Sequence, residues 1–426
     1  MKMKAVILAA GKGERLRPLT DTKPKHILPV GGAPLLEWPL RGLAEVGIRE
    51  VLIVTHYMED QIKAQLGDGS SLGISIRYVR QDEMKGTADA FAVGEAFVGD
   101  DEFIGFYGDG FITVDSFKAV LDAHGTGETT LGVIHVDDPS RLASVELDGD
   151  HVTRIVEKPP KGEAPSNLAN TGIYLFTPEI FDHIRDTGLS SRGEYEVTDS
   201  IGSLIDSGAK VKAAVLPQGG WMDVGQPWDL LEANARALNG LSSSVNGDVE
   251  DDVSIHGPVH IEKGARIRSG AYIEGPVYIG PGSDIGPNCY IRPCTSIGAG
   301  VRIGNACEVK NSIVMDGSHI AHLSYVGDSV IGEGCNFGAG TITANIRFDK
   351  KNVKMRIKGS SVDSGCRKLG AVVGDNAQTG IHVSLLPGVK IGSGAWVAPG
   401  LIVDEDVPSG YFLKKAECVP RKDIDC

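Results

Sequence analysis

The chain has 426 residues, and 41% of them are hydrophobic, so it is long enough for two or three domains with cores of their own. Its formal net charge of −14 argues against a nucleic-acid or membrane-surface role, because both roles require a basic surface. The N-terminus shows no secretory-signal pattern, and no apolar run approaches the roughly eighteen residues of a membrane span. We therefore expect a cytoplasmic protein with no membrane partner, in which local clusters of cations bind any anionic substrate.

Short apolar runs alternate with helical patterns from residue 4 to about residue 238. Strands are predicted at AVILAA, VLIVT, ISIRYV and FIGFYG, and helices near 34–46, 58–66 and 87–98. This alternation indicates βαβ units and predicts an α/β, Rossmann-like domain over residues 1–238, with a mainly parallel sheet. Ligands bind such sheets at the carboxyl ends of the strands, and Gly11 and Asp109 both follow a predicted strand.

Residues 8–30, LAAGKGERLRPLTDTKPKHILPV, join an apolar strand to a basic, glycine-containing loop. Gly11 and Gly13 would let backbone N–H groups approach an anion closely. The stretch also carries five cations: Lys12, Arg15, Arg17, Lys23 and Lys25. The alternative is a turn that uses glycine only for its geometry, but this density of cations in an acidic chain favours a phosphate-binding loop.

A six-residue period begins after a polar stretch that includes NGLSSSVNG, which predicts a linker over residues 239–252. Ten aliphatic residues follow at unbroken six-residue spacing: Ile255, Ile261, Ile267, Ile273, Ile279, Ile285, Ile291, Ile297, Ile303 and Val309. A second phase runs from Val373 to Val403. The period predicts a left-handed parallel β-helix of hexapeptide repeats over residues 253–408, with a tail over residues 409–426.

The position four residues after each aliphatic residue carries small or β-branched side chains, including Cys289 and Cys307. We interpret both cysteines as buried fillers and not as redox groups. The six-residue period slips between Val309 and Phe337, and an irregular stretch rich in Lys and Arg follows at about 344–370. Such a basic loop suits an anionic ligand, although a solvated surface loop is the alternative.

Residues 8–30 resemble the signature LAAGxGxRLxPLTxxxPKxLxPV of the sugar-1-phosphate nucleotidylyltransferases. The resemblance implies that this stretch holds a nucleoside triphosphate, with Arg15 and Lys25 as catalytic cations at its phosphates. It further implies nucleotide contacts at Leu8, Ala10, Gly11, Gly13, Gln81, Gly86 and Thr87. The sugar phosphate would meet Glu157, Lys158, Asn170 and Gly172. Asp109 in FYGDG and Asp223 in WMDVG resemble the two metal ligands and would bind Mg²⁺.

Each of these residues taken singly could equally be a turn former, a helix cap or a surface residue. Their order along the chain and their plausible spacing favour the functional interpretation. The resemblance implies in-line attack of a sugar-1-phosphate oxygen on the α-phosphorus, with release of pyrophosphate.

The segments AHLSYVGD and NFGAGTITAN resemble the runs GHLxYxGD and NxGAGTITxN of the acetyltransferase domain in the bacterial bifunctional enzyme that makes UDP-N-acetylglucosamine. A lone histidine is more often structural, but the resemblance implies that His322 is the base that deprotonates a sugar amine. His319 and His382 are weaker candidates. The resemblance places the sugar phosphate at Tyr325, Asn336, Asn345, Lys351 and Lys354. It places acetyl-CoA at Ala339 and Ala398, and it implies a homotrimer.

The two halves resemble different relatives. The first is closer to the glucose-1-phosphate thymidylyltransferases, and the second to the acetyltransferase, a combination typical of archaeal bifunctional enzymes. The nucleotide therefore stays open between UTP and dTTP, and the amino-sugar-1-phosphate between glucosamine and galactosamine. Two alternatives are a nucleotidylyltransferase whose β-helix serves only assembly or regulation, and a non-catalytic regulatory homologue that binds nucleotide sugars.

Overall fold

A computed structural model describes residues 3–415 and the backbone of residues 417–420. Contacts divide the chain into two compact units. The first comprises Met1–Lys12 and Leu35–Asp223, and the second comprises Gly13–Pro34 and Val224–Cys426. The predicted boundary at residue 238 therefore differs from the division in the structure, because residues 13–34 and the helix Pro227–Asn239 pack with the second unit.

The first unit is built on a nine-stranded mixed sheet. In sheet order its strands are Ser75–Arg80, Glu50–Thr55, Lys4–Ala9, Phe103–Tyr107, Leu168–Phe176, Thr129–His135, Val211–Val215, His151–Glu157 and Ala143–Asp148. The first four are mutually parallel and form the predicted βαβ half. Beyond them the prediction of a mainly parallel sheet is wrong, because Leu168–Phe176 runs antiparallel to both of its neighbours.

Helices cover the sheet of the first unit, at Glu37–Glu45, Glu59–Leu66, Thr87–Ala92, Glu95–Val98, Val114–Ala123, Ile180–Asp186 and Val197–Asp206. Four of them lie in the three predicted helical regions, because the helix predicted near 87–98 divides around Gly94. Fully buried aromatic rings, among them Phe91, Phe103 and Phe176, fill the core and contact one another edge-on or tilted. No helix in the described residues has the length and apolarity needed to cross a membrane.

Three parallel sheets of very short strands form most of the second unit, and each coil contributes one strand to each sheet. The first sheet runs from Ser244–Val245 to Lys390–Ile391, the second from Asp248–Val249 to Tyr411–Lys414 and then Glu417–Pro420, and the third from Ser254–His256 to Ile402–Val403. This stacking matches the predicted β-helix, and the predicted fold class is confirmed.

The aliphatic rows of the hexapeptides face the interior of the β-helix and stack on the same rows of the next coil. Ile261, Ile279 and Ile297 pair in register within the first sheet, and all three are fully buried. Cys289 and Cys307 are buried in the same core, as predicted for fillers. Burial raises the pKa of the Cys289 thiol to about 12, so this thiol stays protonated at neutral pH.

The predicted linker and tail both contribute strands to the β-helix. Ser244–Val245 pairs with the strand Val259–Ile261, and Asp248–Val249 pairs with Arg266–Ile267, so the first coil begins inside residues 239–252. Tyr411–Lys414 pairs in parallel with Trp396–Val397 and extends the second sheet beyond residue 408. Residues 421–426 of the predicted tail lie outside the described residues.

The predicted slip in the period is visible in the strand register. Ile303 pairs with Ile320, and Ile320 pairs with Phe337, so these coils are one residue shorter than three hexapeptides. Phe337 next pairs with Thr379, and residues 344–370 form an insertion within that coil. The insertion contains an antiparallel hairpin, Lys354–Ile357 with Ser360–Asp363, whose Val353, Met355 and Ile357 are buried.

Candidate active sites

Two carboxylates of the first unit lie at the carboxyl edge of its parallel strands. Strands Lys4–Ala9 and Phe103–Tyr107 pair in parallel, and the Gly108 N–H donates to the Leu8 carbonyl at 2.9 Å. Asp109 follows, and a short antiparallel ladder of Gly110–Ile112 with Trp221–Asp223 sets Asp223 opposite Gly110. The predicted metal ligands Asp109 and Asp223, distant in sequence, therefore occupy neighbouring positions.

This pair of half-buried aspartates suits a magnesium ion. Mg²⁺ is bound by one or two carboxylates together with water and substrate phosphates, not by a cage of protein ligands. Within residues 3–415, no cluster of three or more His, Cys, Asp or Glu side chains is arranged to hold a metal. Two carboxylates would leave the other positions of such an ion to water and to substrate phosphates.

The segment predicted to contact the nucleotide, Gln81 to Thr87, follows the strand Ser75–Arg80 and is held by the backbone of Tyr195. The Gln81 side chain is buried, and its Nε2 donates to Asp89 at 2.7 Å. Tyr195 N donates to the Lys85 carbonyl, and Ala88 N donates to the Tyr195 carbonyl. Gly86 has a φ of 133°, and a Cβ there would lie 2.3 Å from the Tyr195 carbonyl oxygen, so only glycine fits this approach.

Asn170 and Gly172, predicted to bind the sugar, are part of a buried polar cluster with Tyr107 and Tyr174. Asn170 Nδ2 donates to the Tyr174 hydroxyl at 2.7 Å, and its Oδ1 accepts the Gly172 N–H at 3.2 Å. The two tyrosine hydroxyls lie 3.2 Å apart. Burial raises the pKa of both tyrosines, which keeps them protonated hydrogen-bond donors. Sequence reasoning singled out neither ring, although Tyr107 stands in the run FYGDG and Tyr174 lies four residues after Asn170.

Glu157 and Lys158, the other predicted sugar contacts, lie beside further carboxylates. Glu157 Oε1 is 3.4 Å from Lys158 Nζ and 3.2 Å from Arg192 Nη1. Arg192 also pairs with the buried Glu196 at 3.0 Å. Burial, reinforced by the charge of Glu157, raises the pKa of Asp199 above its usual range, and burial does the same for Glu196 against the opposing charge of Arg192. The sequence marks none of Arg192, Glu196 and Asp199 by a residue pattern.

The boundary between the two units falls within the stretch predicted to bind phosphate, between Lys12 and Gly13. We call Gly13–Pro34 the cationic loop. Gly13 has a φ of 63°, its carbonyl accepts the Thr20 hydroxyl at 2.8 Å, and a Cβ there would lie 3.0 Å from Lys25 Cβ. Lys25 is 5% exposed, whereas the Arg15 side chain is exposed, so the predicted catalytic cations differ in how firmly they are held.

The predicted acetyltransferase residues meet at the corner between the second and third sheets of the β-helix. His322 is exposed at the end of the strand His319–His322, and its carbonyl accepts the Gly340 N–H. In the next coil the Ala339 carbonyl accepts the His382 N–H at 2.8 Å, and Ala398 lies at the same corner one coil further. His322, Ala339, His382 and Ala398 thus lie at the same corner of four successive coils, within one residue of a common register, and we call them the His322 column.

Tyr325 and Asn345 contact each other around a buried carboxylate that sequence reasoning did not single out. Asn345 Nδ2 donates to the Tyr325 hydroxyl at 3.0 Å and also to Asp328. Asp328 additionally accepts Asn311 at 2.8 Å and pairs with Lys310 Nζ at 3.0 Å. Burial and the nearby Asp328 charge raise the pKa of the Tyr325 phenol. Asp328 ends the quoted run AHLSYVGD, which was the available signal.

Three other predicted acetyltransferase residues lie apart from this contact. Asn336 is exposed on the second sheet, where it pairs with His319 and Gln378 and not with His322. Lys351 and Lys354 are exposed on the insertion. These three keep their assignments as predictions.

The fold and the two sets of residues define a class: a nucleotidyltransferase joined to a hexapeptide-repeat acyltransferase. Comparison with known proteins supports it. The nucleotidyl transferase family model matches residues 4–240, and the GMPPB C-terminal domain model matches residues 273–363. A putative glucose-1-phosphate thymidylyltransferase from Bacillus anthracis, solved with sucrose, is similar over 55% of this chain and 95% of its own, with 32% identity and a TM-score of 0.50.

Full-length relatives extend the similarity across both units. A bifunctional sugar-1-phosphate nucleotidylyltransferase/acetyltransferase of Sulfurisphaera tokodaii is 44% identical over 97% of this chain and 100% of its own. The bifunctional protein GlmU of Methanocaldococcus jannaschii is 42% identical over 99% of this chain and 100% of its own. The chain therefore belongs to the bifunctional nucleotidyltransferase/acetyltransferase family. The predicted enzyme classes are confirmed, and neither a non-catalytic homologue nor a β-helix for assembly alone is supported.

Proposed function

We propose that this enzyme acetylates an amino-sugar-1-phosphate with acetyl-CoA and then transfers a nucleotidyl group to the product from UTP or dTTP, with Mg²⁺. The observation that carries the proposal is the full-length similarity to relatives named for both activities. The candidate residues on the first unit, those on the cationic loop and those on the β-helix support it. Glucosamine-1-phosphate is the preferred substrate, and galactosamine-1-phosphate is the alternative.

In acetyl transfer the sugar amine attacks the thioester carbonyl of acetyl-CoA, a C–N bond forms, and the C–S bond breaks to release the thiol. His322 takes the proton that the amine loses. The exposed imidazole stands in the column with Ala339 and Ala398, which would face the thioester. Tyr325 and Asn345, oriented by the buried Asp328, would hydrogen-bond the sugar phosphate.

In nucleotidyl transfer a phosphate oxygen of the sugar attacks the α-phosphorus of the nucleoside triphosphate, and pyrophosphate leaves. Because the nucleophile is already anionic, no general base is needed. The residues of the site need only to position the two substrates and to neutralise the charge of their phosphates. Asp109 and Asp223 would hold Mg²⁺, which would neutralise phosphate charge when bound. Arg15 and Lys25 would bind the triphosphate, and Asn170, Gly172, Glu157 and Lys158 would bind the sugar phosphate.

A homotrimer is part of the proposal. Apolar side chains lie exposed beside the His322 column and on the third sheet, among them Leu323 at 61%, Ile381 at 53% and Ile402 at 69%. Exposed apolar groups in one region mark an interaction surface. Two further copies of the chain would cover them and would complete each acetyl-CoA site.

The deciding experiment is one set of assays on the purified full-length enzyme. Thiol release from acetyl-CoA is measured with glucosamine-1-phosphate and with galactosamine-1-phosphate, and pyrophosphate release is measured with each product plus UTP or dTTP and Mg²⁺. If neither amino sugar causes thiol release, the first step is contradicted. Absence of pyrophosphate release with both nucleotides would contradict the second.

Two variants separate the sites. His322→Ala should lower acetyl transfer by about 10²- to 10⁴-fold, the usual contribution of a general base, and leave pyrophosphate release unchanged. Asp109→Ala should abolish pyrophosphate release and leave thiol release unchanged. His256→Ala, an exposed histidine in the first coils of the β-helix, and Asp115→Ala, an exposed aspartate of the first unit, are the matched controls. Loss of both activities in either test variant would indicate a folding defect and not a catalytic role.

A further inference from the structure

The cationic loop packs on the β-helix along the edge that follows the strands of the first sheet. It forms three short 3-10 helices, Glu14–Leu16, Leu19–Asp21 and Lys25–Ile27, and ends in the hairpin of Pro29–Val30 with Ala33–Pro34. Little of this loop can be held by its own secondary structure, because each helix is one turn long. Its order depends on what it contacts.

Lys23 makes the ion pairs among these contacts. Its side chain is 7% exposed, and its ammonium lies 2.5 Å from Glu333 and 3.0 Å from Asp375, whose side chain is 5% exposed. Both contacts are ion pairs by distance, and Lys23 Nζ makes no hydrogen bond of good geometry with either carboxylate. The neighbouring Thr22 hydroxyl donates to Asp375 Oδ2 at 2.6 Å. Asp375 Oδ1 accepts the Glu333 N–H at 2.8 Å, so the same carboxylate also joins two coils.

Further contacts fix the loop on either side of Lys23. Ser409 Oγ donates to Asp21 at 2.8 Å, and Ser393 Oγ donates to the Pro18 carbonyl at 3.3 Å. At the hairpin, the fully buried Asn234 accepts the Gly31 N–H at 2.8 Å and the Ser296 hydroxyl at 2.6 Å. The loop is therefore attached to the β-helix from the coil of Ser296 to the coil of Ser409.

The position of these attachments in the sequence is informative. The nucleotidylyltransferase signature leaves three positions open between its Thr and its Pro, and here they are Asp21, Thr22 and Lys23. All three contact the β-helix. They lie between Arg15 and Lys25, the two cations assigned to the triphosphate. The three positions that the signature leaves open are therefore positions at which this chain attaches the loop to the β-helix.

We propose that Lys23 is a positioning residue for nucleotidyl transfer, and that its ion pairs with Asp375 and Glu333 keep the cationic loop ordered before the nucleoside triphosphate binds. The inference rests on the proposed roles of Arg15 and Lys25. It gives the β-helix a part in the reaction of the other site. The contacts follow the first sheet, whereas the His322 column lies between the second and third sheets, so the two can be perturbed separately.

The test is Lys23→Met in the full-length enzyme. If the loop is ordered in only a fraction of the free enzyme, the apparent affinity for the nucleoside triphosphate is reduced to that fraction of its full value. A saturating concentration of nucleotide then restores the rate. We expect KM for the nucleoside triphosphate to rise on the order of tenfold, with kcat nearly unchanged. Hydrogen exchange of peptides from residues 13–34 should accelerate, and acetyl transfer should stay at the wild-type rate. Lys23→Arg should restore KM.

Two comparisons keep the result specific. Asp375→Asn should raise KM as Lys23→Met does, and the double variant should raise it by less than the product of the two single effects, because the Lys23–Asp375 pair is lost in all three. Lys390→Met removes a partly buried ion pair with Asp406 inside the β-helix and should change neither activity. An unchanged KM in Lys23→Met, or an equal rise in Lys390→Met, would overturn the proposal.

A lowered kcat with an unchanged KM in Lys23→Met would also overturn the proposal, because it would place Lys23 at the transition state. The assignment of the catalytic cations is tested separately by Lys25→Met, which should lower kcat. Full activity of Lys25→Met would contradict the proposed function of the loop, whatever Lys23→Met shows.

Discussion

Gly172 shows how one backbone position can fix the side chains around a predicted sugar site. Its φ of 73° is a conformation that residues with a Cβ rarely adopt, and a Cβ there would lie 2.3 Å from the Tyr107 ring. Tyr107 lies against Tyr174, which Asn170 holds. Gly172→Ala should therefore displace Tyr107, raise KM for the sugar-1-phosphate on the order of tenfold or more, and lower the free energy of unfolding by about 1–3 kcal/mol. Steady-state kinetics and thermal denaturation measure the two effects.

The matched control for this prediction is Gly202→Ala in the helix Val197–Asp206. A Cβ at Gly202 meets no atom within 4 Å, and alanine favours a helix, so this variant should be neutral or slightly stabilising. An unaltered KM in Gly172→Ala would show that the position does not shape the sugar pocket. At this scale the sequence predicts Asn170 and Gly172 through their motif, whereas Tyr107 and Tyr174 could not be foreseen, because their meeting depends on the pairing of two distant strands.

At the scale of elements, the two faces of the third sheet of the β-helix have different roles. Its inner face packs in the core, and its outer face is the one that we expect to contact other copies of the chain. Ile402 is 69% exposed, whereas its neighbour Val403 is buried in the core. Ile402→Glu should leave the coil folded, because most of the side chain is already exposed to solvent, but should disfavour burial of that face against another copy. We expect a trimer in the wild type and smaller species in the variant, measured by light scattering. Acetyl transfer should fall with the trimer.

Val245→Glu, which changes another exposed aliphatic residue in the first coil, is the control for assembly and should keep the wild-type mass. A wild-type mass for Ile402→Glu would exclude this face from the interface. The alternation of buried and exposed side chains along these strands also explains which strands the sequence predicts. Buried rows repeat every six residues and are recognised, but Asp248–Val249 and Ser244–Val245 begin the stack with side chains that are exposed or half-buried, so they resemble a linker.

Over the whole molecule, the division into units does not follow the order of the chain. The apolar periods predict a boundary near residue 238, because they report which residues are buried and not which element they are buried against. The cationic loop joins the second unit through contacts such as Thr22 with Asp375 and Asn234 with Gly31, between residues far apart in the sequence. Hydrogen bonds at such separations leave no local pattern, so this part of the fold could not be predicted.

The division makes a prediction about cooperative unfolding. Native-state hydrogen exchange reports the free energy at which each segment opens, and segments that open together belong to one cooperative unit. In mild denaturant, slowly exchanging amides of residues 13–34 should open with those of the β-helix coils around Asp375 and Asn234, whereas residues 35–66 should open with the nine-stranded sheet. Exchange of residues 13–34 in step with residues 35–66 would instead mean that chain continuity outweighs these contacts. Lys23→Met should lower the free energy at which residues 13–34 open and leave that of the coil amides unchanged. The substitution removes ion pairs between the loop and the coil but no hydrogen bond within the stack.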